Sequence, residues 1–257
     1  MLGLKERTGL GEAQFGGRAA FLRSMPKGYS EAFSEDAYFE HARIAARRGK
    51  KPFHVEVWRQ LDQGVAVLCV IADDRPGVLG HVAATLVRQG MDVQSALIYS
   101  RERDGLPKEA VDFFWVRRAA SLGPLTTVER ADAERIAAVL CENHAASLPP
   151  PDEQPEPSSH GAAQELVQVH FEGPNGTEVE DLSIEAPDLP GLLLAVVHAL
   201  VTHRLSIENS ECKTTAGRAL DRFSVRAEDG RPLNDEKRTE IVRAVRRAIL
   251  RLLRSTS

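Results

Sequence analysis

Two short stretches of this 257-residue chain bring together groups that could hold a small charged molecule: Asp74-Arg75-Pro76-Gly77 and Asp188-Leu189-Pro190-Gly191. In each, an apolar run ends at an aspartate, a Pro-Gly pair turns the chain, and apolar residues then recur at helical spacing. Proline sets φ at such a turn, and glycine lets the backbone approach a neighbour closely. A helix starting directly after the turn offers free N–H groups and the positive end of its dipole, which suit a carboxylate. The aspartate can accept a bond from those N–H groups as a cap, or from the ammonium of a ligand. Both readings stay open, because a cap and a ligand contact would each repeat with the fold. Together these are the groups that a free amino acid requires.

The elements that position the two corners come from an internal repeat, which decides the architecture before any single motif does. Residues 74–79 match residues 188–193 at an offset of 114, and Val82, Leu86 and Val87 match Val196, Leu200 and Val201 in the same register. Residues 111–116 match 220–225 at an offset of 109, which places five extra residues of the first copy in a polar hairpin at 101–109. In the first copy, residues 64–72 read as a strand, 78–90 as a helix stopped by Gly90, and 91–100 and 111–116 as two more strands. Residues 129–146 read as a second helix, with Ile136, Val139 and Leu140 towards the sheet. A further strand, expected at 166–171 beyond a proline-rich linker at 148–163, would complete a split βαββαβ unit.

The second copy reads as a strand at 178–186, a helix from Gly191, strands at 205–214 and 220–227, and a final helix from Asp235, with no last strand. An open sheet edge invites pairing, so a homodimer or a joining of the two sheets is expected. The fold class is therefore α+β, with two ferredoxin-like units in tandem, the second lacking its last strand. Residues 1–24 read as a flexible leader and 25–60 as an N-terminal helical segment, with Ser34 as a cap and Tyr29, Phe33, Tyr38 and Phe39 packing on the first unit. That unit is placed at 61–172 and the second at 173–257.

The strand, the Asp-Arg-Pro-Gly-Val-Leu turn, the helix, then Met91-Asp-Val-Gln-Ser-Ala96 and Asp112-x-Phe-x-Val116 resemble the ACT family of regulatory modules. Residues 188–227 resemble a second ACT domain. The pair, with Met25-Pro-Lys-Gly-Tyr29 and His41 before it and the helix after it, is similar to the C-terminal end of the bifunctional uridylyltransferase/uridylyl-removing enzymes of bacterial nitrogen control, over roughly residues 25–253. The resemblance implies two βαββαβ ACT domains with amino-acid ligands at domain interfaces. It carries a ligand role onto Asp74, Arg75, Pro76, Gly77, Val78 and Leu79 at the first corner, onto Asp188, Pro190, Gly191, Leu192 and Leu193 at the second, and onto Asp92, Val93, Ser206 and Ile207 on the strands that follow the helices. Asp92 and Ser206 stand where the family often has Asn, and Leu189 replaces its usual Arg, which points to a ligand at the first corner and structural pairing at the second.

The implied function is that of a non-catalytic regulator that binds an amino acid, glutamine in first place, and passes nitrogen status to a protein partner. The family's catalytic signatures are absent from the sequence. None of the eight histidines is followed by Asp, and no segment has the Gly-Ser and Asp-x-Asp pattern. Two alternatives remain: a divergent or truncated uridylyltransferase-like protein or subunit, and a dimerisation module with vestigial ligand sites.

Composition narrows the rest. A net charge of −4 gives no basic footprint for nucleic acid. Arg243, Arg247, Arg251 and Arg254, opposite Ile241, Val245, Ile249 and Leu252, read as the solvated face of an amphipathic helix. The longest apolar runs, 65–72 and 192–201, fall short of the roughly 20 residues of a membrane span. With no apolar signal segment at the N-terminus, a cytoplasmic location is expected. Cys69, Cys141 and Cys212 are widely spaced and read as buried free thiols. His41, His54 and Glu56 lack metal-ligand spacing, so neither a metal nor a cofactor is expected. His81, one turn past the first corner, is placed to reach a ligand.

Overall fold

The computed structural model describes residues 19–119, 127–144, 166–174 and 176–255. Two equivalent strands of the repeat show how side-chain pattern selects the layers. Strand β2 (Ala66–Asp73) has seven consecutive buried residues, whereas β6 (Glu180–Pro187) alternates buried with half-buried. A continuous apolar run needs cover on both faces of a sheet, and strict alternation needs it on one. The cover over β2 is helix α1 (Lys27–Ala32), helix α2 (Glu35–Arg48) and a helical turn at 19–24. Their Phe21, Tyr29, Phe33 and Tyr38 pack with Tyr99 and Phe113 of the sheet. Over β6 that same face carries Asp181, Ser183 and Glu185.

Strand β1 (Phe53–Gln60), β2, helix α3 (Val78–Arg88), β3 (Met91–Arg103), β4 (Leu106–Arg118) and helix α4 (Arg130–Glu142) make the first unit. Strand β5 (Gln168–Glu172), β6, helix α5 (Leu192–Thr202), β7 (Leu205–Thr215), β8 (Arg218–Ala227) and helix α6 (Asp235–Ser255) make the second. All eight strands form one antiparallel sheet in the order β1-β2-β4-β3-β7-β8-β6-β5. The chain is thus α+β with two ferredoxin-like units in tandem. Helices α3 to α6 cover the other face, where Val82, Leu86, Val196 and Leu200 are fully buried in one core with Ile136, Leu140, Ile241, Val245 and Ile249. None of the helices among the described residues is long and apolar enough to cross a membrane.

Four expectations about the chain are corrected. The strand near 166–171 does not close the first unit. The outer edge of β2 is already hydrogen-bonded to β1 from Phe53↔Ala72 to Gln60↔Ala66, so β5 pairs with β6 instead. The second unit consequently has its fourth strand, and β1 and β5 stand at the head of their units where βαββαβ places a strand at the tail. The residues at 101–109 continue β3 and β4 as paired strands that turn at Asp104-Gly105, with Gly105 at φ 68°. Finally, the stretch read as a leader ends in helix, with Phe21 buried against Tyr29, and the helical segment read at 25–60 includes β1. The linker at 148–163 and the rest of the leader lie outside the described residues.

Charge explains why the polar hairpin holds as a ladder. Glu109 is buried, and its carboxylate takes Arg48 at 2.8 Å, Arg101 at 2.5 Å and Arg103 at 3.2 Å. Asp73 takes Arg48 at 2.7 Å and Arg103 at 2.9 Å. A buried carboxylate is stable only with such pairing. Arg48 sits in the last turn of α2, so the cluster also ties the N-terminal helices to the first unit.

The two units join through β3 and β7, from Ser95↔Lys213 to Tyr99↔Asn209. Leu97 pairs with Glu211, its own equivalent in the repeat, so the units are related by a twofold axis at that point. The repeat is not perfect in backbone strain. The residue between the first helix and second strand is Gly90 (φ 71°) in one unit and Arg204 (φ 58°) in the other. A non-glycine residue in the left-handed region costs about 1–2 kcal/mol, part of which glycine returns through its looser unfolded chain. Arg204→Gly should therefore raise the stability by about 0.5–1 kcal/mol in urea unfolding; a loss would mean that the arginine side chain holds something the backbone cost conceals.

Candidate functional site

The two corners are built alike. Asp74 N–H donates to the Lys108 carbonyl (2.9 Å), Val78 N–H to Arg75 (3.1 Å) and His81 N–H to Gly77 (3.0 Å). The equivalent bonds are Asp188 to Gly217, Leu192 to Leu189 and Ala195 to Gly191, each 3.0 Å. Gly77 (φ 82°) and Gly191 (φ 85°) occupy the helix N-cap in the left-handed region, which glycine adopts without strain. The helix itself supplies no acceptor for the N–H groups of Leu79 and Gly80, or of Leu193 and Leu194, so each corner presents donors to an anion.

Neither aspartate is the cap. Asp74 Oδ2 accepts from Ser100 Oγ at 2.5 Å, and Asp188 is bonded by the Thr214 hydroxyl. Ser100 and Thr214 are equivalent at the same offset of 114. Burial raises the Asp74 carboxyl above its usual range against the Ser100 bond, and Glu208 adds to the rise while Lys108 and Arg226 oppose it. Asp188 is raised likewise by burial, opposed by Thr214. A second, deeper carboxyl lies near each corner. Asp112 Oδ1 accepts from Tyr99 N–H at 3.4 Å and is pushed well up by burial and by Asp74. Asp221 is bonded by Lys213 N–H and the Cys212 thiol, and its carboxyl is pushed up to about 7 by burial, with a further rise from Asp188.

The twofold axis brings each corner against the opposite unit. A cleft of about 150 Å³ runs between the first corner and the second unit. On one side stand Asp74, Arg75, Pro76, Gly77, Val78 and Leu79 with Lys108. Facing them are Val197 and Val201 of α5, Leu205, Ser206, Ile207 and Glu208 of β7, and Arg226 of β8. At the second corner the matching cavity is only about 30 Å³, between Asp188, Gly191, Leu192 and Leu193 on one side and Val93, Gln94 and Ser95 on the other. Leucines 189, 192, 193 and 194 crowd that space.

Ser206 and Ile207 join the first corner and Val93 the second, because each strand faces the neighbouring unit's turn rather than its own. Asp92 and Pro190 line neither cavity; Asp92 accepts from Gln94 at 2.8 Å and from Arg117 at 3.0 Å. His81 turns away from the cleft, against Phe53 and the Leu140 backbone. Lys108, Glu208, Arg226, Val197 and Val201 were not legible as site residues, since their role arises only from the contact between units. Among the described residues, no three His, Cys, Asp or Glu side chains gather as metal ligands. His54 and Glu56 meet at 3.2 Å, while His41 is buried among Phe33, Trp58 and Phe113 with its Nδ1 bonded to Tyr29 Oη at 2.7 Å. Burial, with Arg59 nearby, lowers His41 to about 3.

The chain is 28% identical over 183 residues to the bifunctional uridylyltransferase/uridylyl-removing enzyme of Xanthomonas axonopodis pv. citri, covering 69% of this chain and 19% of that protein. The enzyme of the same name from Gluconobacter oxydans is 26% identical over 220 residues, covering 82% of this chain and 22% of the relative. The chain thus spans about one fifth of the length of the curated relatives it matches. No family model matches. Among solved structures, an aspartate kinase from Synechocystis aligns with 81% of this chain and 30% of its own, at 18% identity and a TM-score of 0.37.

The buried carboxyl near the second corner makes a measurable claim. Because the folded Asp221 holds its proton up to about 7, against 3.8 for a free carboxyl, the folded state binds more protons than the unfolded one in that window. The contribution of Asp221 to stability should fall as pH rises from about 4 to about 7 and then level, at about 1.4 kcal/mol per pH unit at most, against the opposite contribution of His41, whose lowered value favours the folded state as pH rises towards 6.5. Asp221→Asn keeps an acceptor for Lys213 N–H and removes the charge. It should leave stability at pH 4 little changed and raise it by roughly 2–4 kcal/mol at pH 8, read by urea unfolding across that range; an unaltered pH slope would refute it.

Proposed function

We propose that this chain is a non-catalytic regulatory segment that binds a free amino acid in the cleft at the first corner and reports nitrogen or amino-acid status to a protein partner. The single observation that carries the reading is the convergence, in one cleft between two units, of helix N–H donors, the Asp74 carboxyl and an apolar wall from α5 and β7. The donors suit an α-carboxylate, Asp74 an α-ammonium, and Val197, Val201, Leu205 and Ile207 the carbon chain of a side chain. A ligand held from both sides of the β3–β7 junction binds one arrangement of the units better than another, which is what a signal requires. The similarity to nitrogen-control enzymes supports glutamine as the first ligand to test. The crowding at the second corner supports a structural role there.

Calorimetric titration with the twenty amino acids tests the reading. Glutamine, or one close analogue, should bind with one site per chain. Asp74→Ala should weaken it at least tenfold, about 1.4 kcal/mol and within what a hydrogen bond to a charged group contributes. Asp188→Ala should change it little. Silence from all twenty would overturn the proposal. The relatives' name favours a second reading, uridylyl transfer, and an assay on the signal protein PII decides it: transfer by the purified chain would displace the non-catalytic reading.

A further inference from the structure

The strand that each unit turns towards its neighbour's corner carries a bulge at the same repeat position. In β7 the pairing with β8 skips one residue between Ile207 and Asn209, and in β3 the pairing with β4 skips one between Val93 and Ser95. The skipped residues are Glu208 and Gln94. A bulge re-aims a side chain out of the regular alternation of a strand. Here it brings Glu208 into the lining of the first cleft and Gln94 into the lining of the second.

Glu208 therefore stands across the first cleft from Asp74, one carboxyl from each unit. Arg226 holds Glu208 at 2.5 Å and Lys108 lies at 3.7 Å. Those contacts fix the carboxylate at the wall, and its charge reaches Asp74, adding to the rise already caused by burial. Two carboxyls lining one small cavity repel when both are ionised; Lys108 and Arg226 offset part of that repulsion, and a ligand ammonium between the acids offsets the rest. At the second corner the acid lies elsewhere. Its bulge residue is neutral, and the first unit's Asp92, though its charge also raises the Asp188 carboxyl, does not line the cavity.

Resting on the function proposed above, we infer that Glu208 is the second unit's half of an ammonium clamp whose other half is Asp74. The ligand class is a compound with a protonated primary amine next to its carboxylate, and that amine bridges the two units. Glu208 thus decides both which molecules bind and which of the two corners binds them. Ammonium recognition by paired carboxylates differs from recognition by the corner alone, since it requires a residue 134 positions away in the chain.

The test compares, by calorimetry, the amino acid that binds most tightly, L-glutamine on the reading above, with the 2-hydroxy acid bearing the same side chain. The wild type should prefer the amino acid by at least tenfold. Glu208→Gln should weaken amino-acid binding at least tenfold and lower the ratio of the two affinities by a similar factor, the remaining preference being that of Asp74. Glu208→Asp, which keeps the charge, should retain the preference, and a thermal midpoint near that of the wild type for both variants separates loss of recognition from loss of fold. Binding of the amino acid by the wild type with an unchanged ratio in Glu208→Gln would overturn the clamp and leave the function standing. Failure of every amino acid to bind the wild type would overturn both.

Discussion

The hydrogen-bonded junction of β3 with β7 is the constraint on which the rest of this structure depends. It pairs Leu97 with its own repeat equivalent, Glu211, and so fixes a twofold relation between the units. Once that relation is set, each Asp-x-Pro-Gly corner must face the bulged strand and first helix of the other unit. Helices α3 and α5 pack beside each other on the same face of the sheet for the same reason. A slip of one residue in this ladder would turn every side chain of the strand to the opposite face, taking the cleft walls with it.

The same symmetry leaves room for difference, and the two corners use it. Backbone geometry is nearly identical at both, down to the glycine φ values and the hydroxyl that meets each aspartate. What differs is side-chain volume and charge: leucines crowd the second cavity to about 30 Å³, while charged groups frame an open first cleft of about 150 Å³. The repeat supplies two corners, and a few side chains separate an open cleft from a filled one. The buried carboxyls Asp112 and Asp221 persist in both, each with its charge suppressed by burial.

The units also differ in their cover. Among the described residues, only the first has helices on its second face, tied down by Arg48 on Asp73 and Glu109. Those two acids are chain neighbours of Asp74 and Lys108, which line the cleft. The N-terminal helices and the cleft thus share one rigid strand end and one hairpin root, whereas the second unit turns a polar, ion-paired face outward at Arg218–Glu185 and Arg222–Glu172.

By itself the sequence determined the local chemistry: the offset of 114, the two turns, the helices that follow them, the number of central strands and the α+β class were all readable. These depend on residues near one another in the chain, where φ restriction, periodicity and capping act. The tertiary structure alone decided which strand closes each unit, because β1 and β5 are short or mixed in pattern and compete for an edge that only pairing partners define. It also decided that the clefts cross between units, that Asp74 meets Ser100 instead of capping its helix, and that Glu208 and Gln94 sit on bulges. Such contacts join residues far apart in sequence, and a bulge has no side-chain signature of its own, so nothing local announces them.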